Sequence, residues 1–248
     1  MSLYIYLKKD NSIKRKAVNY FSYISLTIGA FLLFWSFYPI LSFEIYSKLF
    51  IQKNIQSPVP KSTTTRSLEQ ANSVLGSNNV FSNNLRDFTN VKLWFPSSVQ
   101  NNDKSKLALK EYKLSIPKIN IKDIRVVVDG EDLSKSLVHF LAQSLPGEYG
   151  NIVIFGHSTL PQLYNPKDYK TIFTYLPSLE RKDNIYLKVN DISYEYEIYD
   201  MFVVEPDQVS VLEQHNDASY LTLITCVPPG TYWKRLVVRA KLTKLPVE

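Results

Sequence analysis

The sequence predicts a mainly β protein whose strands form a closed or nearly closed barrel, preceded by one N-terminal transmembrane helix. Three observations support this fold class: an uncharged apolar run near the N-terminus, many short segments rich in β-branched residues after residue 112, and few helical segments between them. β-Branched side chains favour strands, and closing a sheet of short strands leaves fewer exposed edges. With 248 residues, 45% of them hydrophobic, the chain can bury the core of one ordinary domain with attachments.

The N-terminal region has the composition of a membrane anchor. Residues 17–43 contain no Lys, Arg, Asp or Glu, and about 20 helical residues cross a hydrocarbon core of roughly 30 Å. No small-residue cleavage site follows, which favours a retained anchor over a signal peptide, and the polar residues show no stripe typical of a soluble core helix. Five basic residues precede the run. We therefore expect a cytoplasmic segment at 1–16, a transmembrane helix at 17–46 and an extracellular remainder.

A polar segment follows the anchor. Roughly half of residues 51–110 are Ser, Thr, Asn, Gln or Pro, and such a composition cannot bury enough apolar surface to offset its ordering entropy. We expect an extracellular stalk over 47–110 and a globular domain over 111–248. One apolar patch, VKLWFP at 91–96, interrupts the stalk. This patch either docks on the domain or forms a local kink in a loose stalk.

The globular domain is predicted to consist mostly of strands. They are expected at 114–117, 124–128, 151–155, 185–189, 193–204, 220–226 and 233–242. Apolar residues at a helical period predict a helix over 133–145, which Pro146 and Gly147 would end. Residues 172–179 are expected to form a short helix or a turn.

Charge and cysteine content exclude several classes of protein. The net charge is +6, but much of it lies in the first sixteen residues, whereas nucleic-acid binding needs a broad basic surface. A single cysteine excludes an intramolecular disulfide framework and a multi-cysteine zinc site. The three histidines show no HExxH spacing. We therefore expect no nucleic-acid partner, no metal and no cofactor.

Three residues could form a site for nucleophilic catalysis. Cys226 ends a predicted strand beside the turn residues Pro-Pro-Gly, where a substrate can reach a thiol. His157 follows a glycine at the end of another predicted strand, and Arg235 lies nine positions after the cysteine on the returning hairpin arm. Taken singly, these residues could equally be a buried inert cysteine, a structural histidine and a solvated arginine. His139 and His215 are interpreted as structural or solvated.

Together these three side chains fit acyl transfer through a thioester. A cysteine at its ordinary pKa of about 8.5 is mostly protonated at neutral pH, and a nearby imidazole can take its proton and later protonate a leaving amine. A guanidinium supplies fixed donors to the oxyanion that forms when a carbonyl is attacked. Arg235 is favoured over Arg239, which shares its strand face, because it lies closer to the cysteine turn.

Four stretches of the chain resemble the sortase family, the membrane-anchored cysteine transpeptidases of bacteria. They are LSIPKI at 114–119, NIVIFGHS at 151–158, YKTIF at 169–173, and TLITC at 222–226 running on to RLVV at 235–238. The resemblance implies a closed eight-stranded sortase-type β-barrel with a few short helices. It also implies catalytic roles for His157, Cys226 and Arg235 and a substrate-binding role for Thr225. The short catalytic loop resembles the smaller classes, such as classes D and E.

The resemblance further implies a function and its partners. The enzyme would cleave an LPxTG-like motif near the C-terminus of a secreted protein and join that protein to an amine acceptor, either a cell-wall precursor or a pilin lysine. It would lie in the bacterial cell membrane as a single-pass protein with an extracellular catalytic domain. Two alternatives remain open from the residues: a catalytically inactive, membrane-tethered binding module, and a plain cysteine peptidase that uses water as the acceptor.

Overall fold

The computed structural model describes residues 12–51, 89–94 and 109–244. Helix α1 spans Ser12–Tyr46 and continues into a short π-helical turn at Ser47–Ile51. The stretch Lys16–Leu49 is long and apolar enough to cross a membrane, and its most apolar part is not buried inside the protein. Most of the predicted cytoplasmic segment and most of the predicted stalk lie outside the described residues.

Eight strands form one closed barrel. Their order around it is β1-β2-β3-β4-β7-β8-β6-β5, and β5 completes the circle by pairing antiparallel with β1. Only the pairs β2–β3 and β4–β7 are parallel among the described strands. The bounds are β1 Glu111–Ile116, β2 Ile121–Val128, β3 Leu137–His139, β4 Gly150–Phe155, β5 Asn184–Val189, β6 Ile192–Val204, β7 Ser219–Val227 and β8 Lys234–Lys244. The eight-stranded barrel expected from the resemblance is confirmed.

Alternate residues of the strands β4, β7 and β8 face two different hydrophobic clusters, as the two-residue period of a strand requires. Leu221 and Leu223 of β7 belong to the cluster that fills the barrel, to which all eight strands contribute apolar side chains. Ile224 and Cys226 belong to a second cluster on the outer face of the barrel, which includes residues from loops. The predicted site therefore lies on the outer face and not inside the barrel.

The helix predicted over 133–145 is absent, and that prediction was wrong. This segment holds the three-residue strand β3, which runs parallel to β2 and antiparallel to β4. Leu137 enters the barrel core, whereas Leu133 and Phe140 enter the outer cluster. Because both faces of the segment are buried, its apolar residues have a spacing that imitates one face of a helix. The short helix or turn expected at 172–179 is confirmed as a 3₁₀ helix over Ile172–Ser178.

The histidine of β3 makes the fold sensitive to acid. His139 is fully buried, its Nδ1 is hydrogen-bonded to the Tyr112 hydroxyl at 3.2 Å, and burial lowers its pKa to about 4, against the influence of Asp129. The unfolded chain would bind a proton near the ordinary pKa of about 6.5. Folding therefore loses stability as the pH falls from above 6.5 toward 4, by on the order of 3 kcal/mol for this residue.

His139→Phe is expected to reduce the difference in unfolding free energy between pH 7.5 and pH 4.5, measured by urea denaturation. His215→Phe is the matched control, because His215 lies exposed in a loop, and it should keep the wild-type difference. An unchanged pH difference in His139→Phe would show that this histidine does not carry the effect.

Candidate active site

The thiol of Cys226 sits near the end of β7 on the outer face of the barrel. The residues that follow form the turn Pro228-Pro229-Gly230, in which the Thr231 backbone N–H donates to the Pro228 carbonyl at 2.9 Å. This turn returns the chain into β8 so that Cys226 and Arg235 are directly opposite in the antiparallel register. Directly opposed residues have Cβ atoms about 5 Å apart. The hairpin therefore brings the thiol and the guanidinium stem together, as the nine-residue spacing predicted.

His157 follows β4, the parallel neighbour of β7. The ladder between them continues as far as the backbone N–H of Gly156, which donates to the Ile224 carbonyl at 3.1 Å. Position 156 must be glycine because a Cβ there would lie 2.5 Å from the Phe173 ring and 2.6 Å from Leu137 in the packed interior. The ring of the next residue, His157, lies 5.3 Å from that of Trp94, which belongs to the same outer cluster as Cys226.

Arg235 is buried, and its guanidinium is held by backbone carbonyls. Nη1 donates to the carbonyls of Tyr232 and Lys234 at 3.0 and 3.3 Å, and Nη2 donates to the carbonyl of Trp94 at 3.4 Å. No Asp or Glu side chain among the described residues forms an ion pair with Arg235, so no carboxylate neutralises its positive charge there.

Arg239 lies on the same face of β8 but away from the site. It is opposite Thr222 in the register and its guanidinium lies over the Phe202 ring, with Cζ 5.1 Å from the ring centroid. Four residues along a strand correspond to about 13 Å. The described geometry therefore brings Arg235, not Arg239, next to the thiol.

Trp94 covers the outer side of this site. Its indole is 1% exposed, its ring centroid lies 5.3 Å from that of His157, and Arg235 Cζ lies 5.2 Å from the indole centroid. The tryptophan belongs to the apolar patch of the predicted stalk, which was expected either to dock on the domain or to form a local kink. The described part of the patch docks, because Val91 and Trp94 are buried against the domain.

Backbone and charge contacts hold this covering segment, residues 89–94, in place. Asn90 forms an isolated antiparallel bridge with Asp132, and the backbone N–H of Val91 donates to the Glu131 carbonyl at 3.1 Å. The ammonium of Lys92 lies 2.7 Å from the Glu131 carboxylate. The covering segment is thus attached to the loop before β3, while Trp94 reaches over the site.

The covered site leaves two polar atoms without partners. His157 Nε2 and Arg235 Nε are buried and have no hydrogen-bond partner among the described residues. Buried polar groups are nearly always paired, and an unpaired one costs about 1–3 kcal/mol. Both atoms belong to residues predicted to act on a substrate. A polar ligand that hydrogen-bonds to them would remove this energetic cost.

Burial favours the neutral forms of the Cys226 and His157 side chains in this arrangement. It raises the pKa of the Cys226 thiol to about 11, although Arg235 acts in the opposite direction. It also lowers the pKa of His157 to about 4, with Lys170 adding to the effect and Asp132 and Asp168 opposing it. Between these values, and so at neutral pH, the pair is thiol and imidazole, not thiolate and imidazolium. Greater exposure of the site to water would lower the pKa of the thiol and raise that of the imidazole.

Replacing Trp94 by alanine is expected to speed alkylation of Cys226 by iodoacetamide at pH 7. Removing the indole admits water, which lowers the thiol pKa, and the thiolate fraction rises about tenfold for each unit of that decrease. Trp233→Ala is the matched control because Trp233 is 55% exposed. Equal alkylation rates in wild type and Trp94→Ala would contradict the covering role of this side chain. The label is unambiguous because the chain has one cysteine.

Two hydroxyl residues lie beside the predicted catalytic residues. Thr225 is fully buried and its hydroxyl donates to the Gly156 carbonyl at 2.8 Å, so its described contact is with the strand that carries His157. Ser158 donates to the Cys226 carbonyl at 2.6 Å, a contact that nothing in the local sequence pattern indicates. From the sequence alone, docking of the apolar patch that contains Trp94 was one of two open alternatives, and its position beside His157 and Arg235 was not predicted. No cluster of three or more His, Cys, Asp or Glu suitable for a metal occurs in the described part of the chain.

Comparison with known proteins is consistent with this geometry. The Sortase domain model matches residues 114–243, more than half of the chain. The chain is 30% identical to Sortase D of Bacillus subtilis (strain 168) over 133 residues, and 36% identical to Sortase A of Bacillus anthracis over 93 residues. These alignments cover 52% and 38% of this chain but only 61% and 40% of the two relatives.

A solved structure is also similar. Sortase A from Corynebacterium diphtheriae superposes with a TM-score of 0.48 at 31% identity, over 55% of this chain and 62% of that one. The matched domain model spans strands β1 to β8, including the segments that carry His157, Cys226 and Arg235. The chain therefore belongs to the sortase family.

Proposed function

We propose that this protein is a cysteine transpeptidase that cleaves an LPxTG-like sorting motif through a thioester on Cys226 and transfers the cleaved protein to an amine. The observation that carries the proposal is the register of β7 and β8, which sets the only thiol of the chain directly opposite a buried arginine. The strand parallel to β7 is β4, and the histidine follows its last residue by two positions. Family membership supports transpeptidation as the general activity.

The proposed reaction begins with a proton transfer. His157 takes the thiol proton, and the resulting Cys226 thiolate attacks the carbonyl carbon of the Thr–Gly bond. Arg235 donates hydrogen bonds to the oxyanion of the tetrahedral intermediate. The intermediate collapses as the C–N bond breaks, and the His157 imidazolium gives its proton to the leaving amino group. The acceptor amine then attacks the thioester carbonyl and loses a proton to His157. The C–S bond breaks as the new amide forms, and the His157 imidazolium returns its proton to the Cys226 thiolate.

The partners are proposed from the family resemblance. The substrate is a secreted protein with a sorting motif, and the acceptor is the amine of a cell-wall precursor or a pilin lysine. Thr225 is proposed to help form the substrate site. It directly precedes Cys226, and its hydroxyl is hydrogen-bonded to the carbonyl of Gly156, the residue before His157. No cofactor, metal or nucleic acid takes part in the proposed reaction.

The proposed location is the bacterial cell membrane, with the N-terminus in the cytoplasm and the domain outside. The apolar surface of α1 is exposed along most of its length, as expected of a helix surrounded by lipid. At its C-terminal end, Phe43 is buried against the domain, and Glu44 lies 3.6 Å from the ammonium of Lys234 in β8. Pro229, in the turn after Cys226, lines a groove with Tyr38 and Pro39 of α1. The site would therefore lie close to the outer surface of the cell membrane.

The proposal is tested by incubating the purified full-length protein in detergent with a peptide containing Leu-Pro-Glu-Thr-Gly, with and without oligoglycine. Mass spectrometry is expected to show cleavage after Thr and, with the amine, a ligated product. Hydrolysis alone at every amine concentration would indicate the plain cysteine peptidase. Binding with no cleavage over a library of related motifs would indicate the inactive binding module.

A further inference from the structure

The chain next to His157 is fixed to the Cys226 strand by side chains rather than by the sheet. The parallel ladder between β4 and β7 ends with the Gly156 N–H bond to the Ile224 carbonyl. Beyond it, the chain carrying His157 leaves the sheet. The next two carbonyls, those of Gly156 and Cys226, accept hydrogen bonds from side-chain hydroxyls instead.

These two hydroxyl bonds lie on either side of the histidine. Before His157, the carbonyl of Gly156 accepts a hydrogen bond from the Thr225 hydroxyl at 2.8 Å. After His157, the Ser158 hydroxyl donates to the Cys226 carbonyl at 2.6 Å. The second bond joins the neighbour of the proposed base to the backbone of the proposed nucleophile, across 68 residues of sequence.

Other contacts fix the far side of the same loop. The His157 carbonyl accepts from the Phe173 backbone N–H at 2.9 Å, and the Thr159 N–H donates to the Thr174 hydroxyl at 3.0 Å. Both are bonds to the 3₁₀ helix of Ile172–Ser178 and not to β7. The Ser158 hydroxyl is therefore the described contact that ties this loop to Cys226 itself.

From this arrangement we infer that Ser158 is a positioning residue that fixes the segment carrying His157 relative to the backbone of Cys226. The inference rests on the proposed function, because it assigns Ser158 a role through His157. Ser158 does not touch the reacting atoms in this reaction. Loss of the hydroxyl leaves the Cys226 carbonyl without this donor and lets the loop move, and displacements of about 1 Å in an active site can cost up to about a hundredfold in rate.

The test uses the full chain in detergent and the pH dependence of Cys226 alkylation, a readout that requires no substrate. Ser158→Ala is expected to slow alkylation at pH 7 by about tenfold and to shift the rate–pH profile to higher pH. At high pH, where the thiol ionises without the imidazole, the rates should converge. Ser158→Thr keeps the hydroxyl, and its alkylation profile should stay near that of the wild type. Ser158→Val has the shape of the threonine variant but no hydroxyl, and its profile should match that of Ser158→Ala. Thr243→Ala removes an exposed hydroxyl bond to the Glu195 carbonyl, far from the site, and should change nothing.

A double-mutant cycle separates positioning from a general loss of structure. If Ser158 acts through His157, then Ser158→Val in a His157→Ala background should have little further effect on the alkylation profile. A full effect in that background, or identical profiles for Ser158→Thr and Ser158→Val, would overturn the inference. With the sorting peptide, Ser158→Val should lower kcat by about tenfold with KM nearly unchanged. If the wild type does not cleave the peptide, the proposed function fails, but the alkylation cycle still decides the role of Ser158.

Discussion

Replacement of Cys226 by alanine is expected to abolish cleavage of a sorting-motif peptide while leaving the domain folded. The thiol is the nucleophile of the proposed reaction, and no other cysteine in the chain can replace it. Removal of a catalytic nucleophile costs more than about 10³-fold in kcat. The side chain is small and lies at the edge of the outer cluster, 8% exposed, so the free energy of unfolding should change by only about 1 kcal/mol. Peptide cleavage and urea denaturation measure the two effects separately.

The matched control for this substitution is Thr222→Ala. Thr222 lies on the same strand and is buried, but its hydroxyl donates to the Asn151 side chain at 2.7 Å, away from the thiol. Its loss should reduce stability and leave the activity of the folded protein in place. Normal turnover by Cys226→Ala would show that the thiol is not the nucleophile and would end the proposal of thioester chemistry.

Replacement of Arg235 by lysine is expected to lower kcat by about 10²–10³-fold with a smaller change in KM. Lysine keeps the positive charge but lacks the planar fork of donors, three of whose hydrogen bonds fix Arg235 to the carbonyls around it. Loss of one well-placed oxyanion donor has an effect of this size. Steady-state kinetics on the sorting peptide measure the split between kcat and KM.

Arg239→Lys is the control, since this arginine shares the strand and the face but lies over Phe202 and opposite Thr222. Its activity should be close to that of the wild type. If instead Arg239→Lys lost activity and Arg235→Lys kept it, the oxyanion role would have to be assigned to Arg239.

Patterns local in sequence predicted most of the barrel. Alternation of side chains predicted β6, and short apolar or β-branched runs bounded by turn residues predicted β4, β5, β7 and β8 closely. The segment that became β3 was mistaken for a helix because neighbouring elements cover both of its faces. A three-residue strand that is buried on two sides leaves no two-residue alternation to detect.

The site was predictable where its chemistry depends on spacing along one hairpin. Cys226 and Arg235 are joined by a short turn, so nine residues of separation were enough to place them opposite each other. The cover by Trp94 could not be predicted in this way, because residue 94 lies far from the other site residues in sequence and its position depends on pairing with the loop before β3. The bond from Ser158 to the Cys226 carbonyl likewise depends on where the ladder between β4 and β7 ends, a detail of tertiary geometry.

The covered site also explains how a thiol with a raised pKa is compatible with catalysis. Trp94 lies over His157 and Arg235, and desolvation raises the pKa of the thiol and so favours its protonated form. Displacement of the covering segment would return both groups toward their ordinary pKa values and give the unpaired nitrogens of His157 and Arg235 a partner. Reactivity would then be coupled to occupation of the site.

The thioester on Cys226 is tested most directly by quenching the enzyme in acid during turnover of the sorting peptide. Intact-mass and tandem mass spectrometry then detect any covalent adduct on the sulfur. A covalent adduct with the mass of the peptide's N-terminal fragment, bound at position 226 and released by hydroxylamine or oligoglycine, is the expected result. Cleaved peptide accompanied by unmodified enzyme at every time point, even when attack on the thioester is slowed, would contradict a thioester intermediate on Cys226.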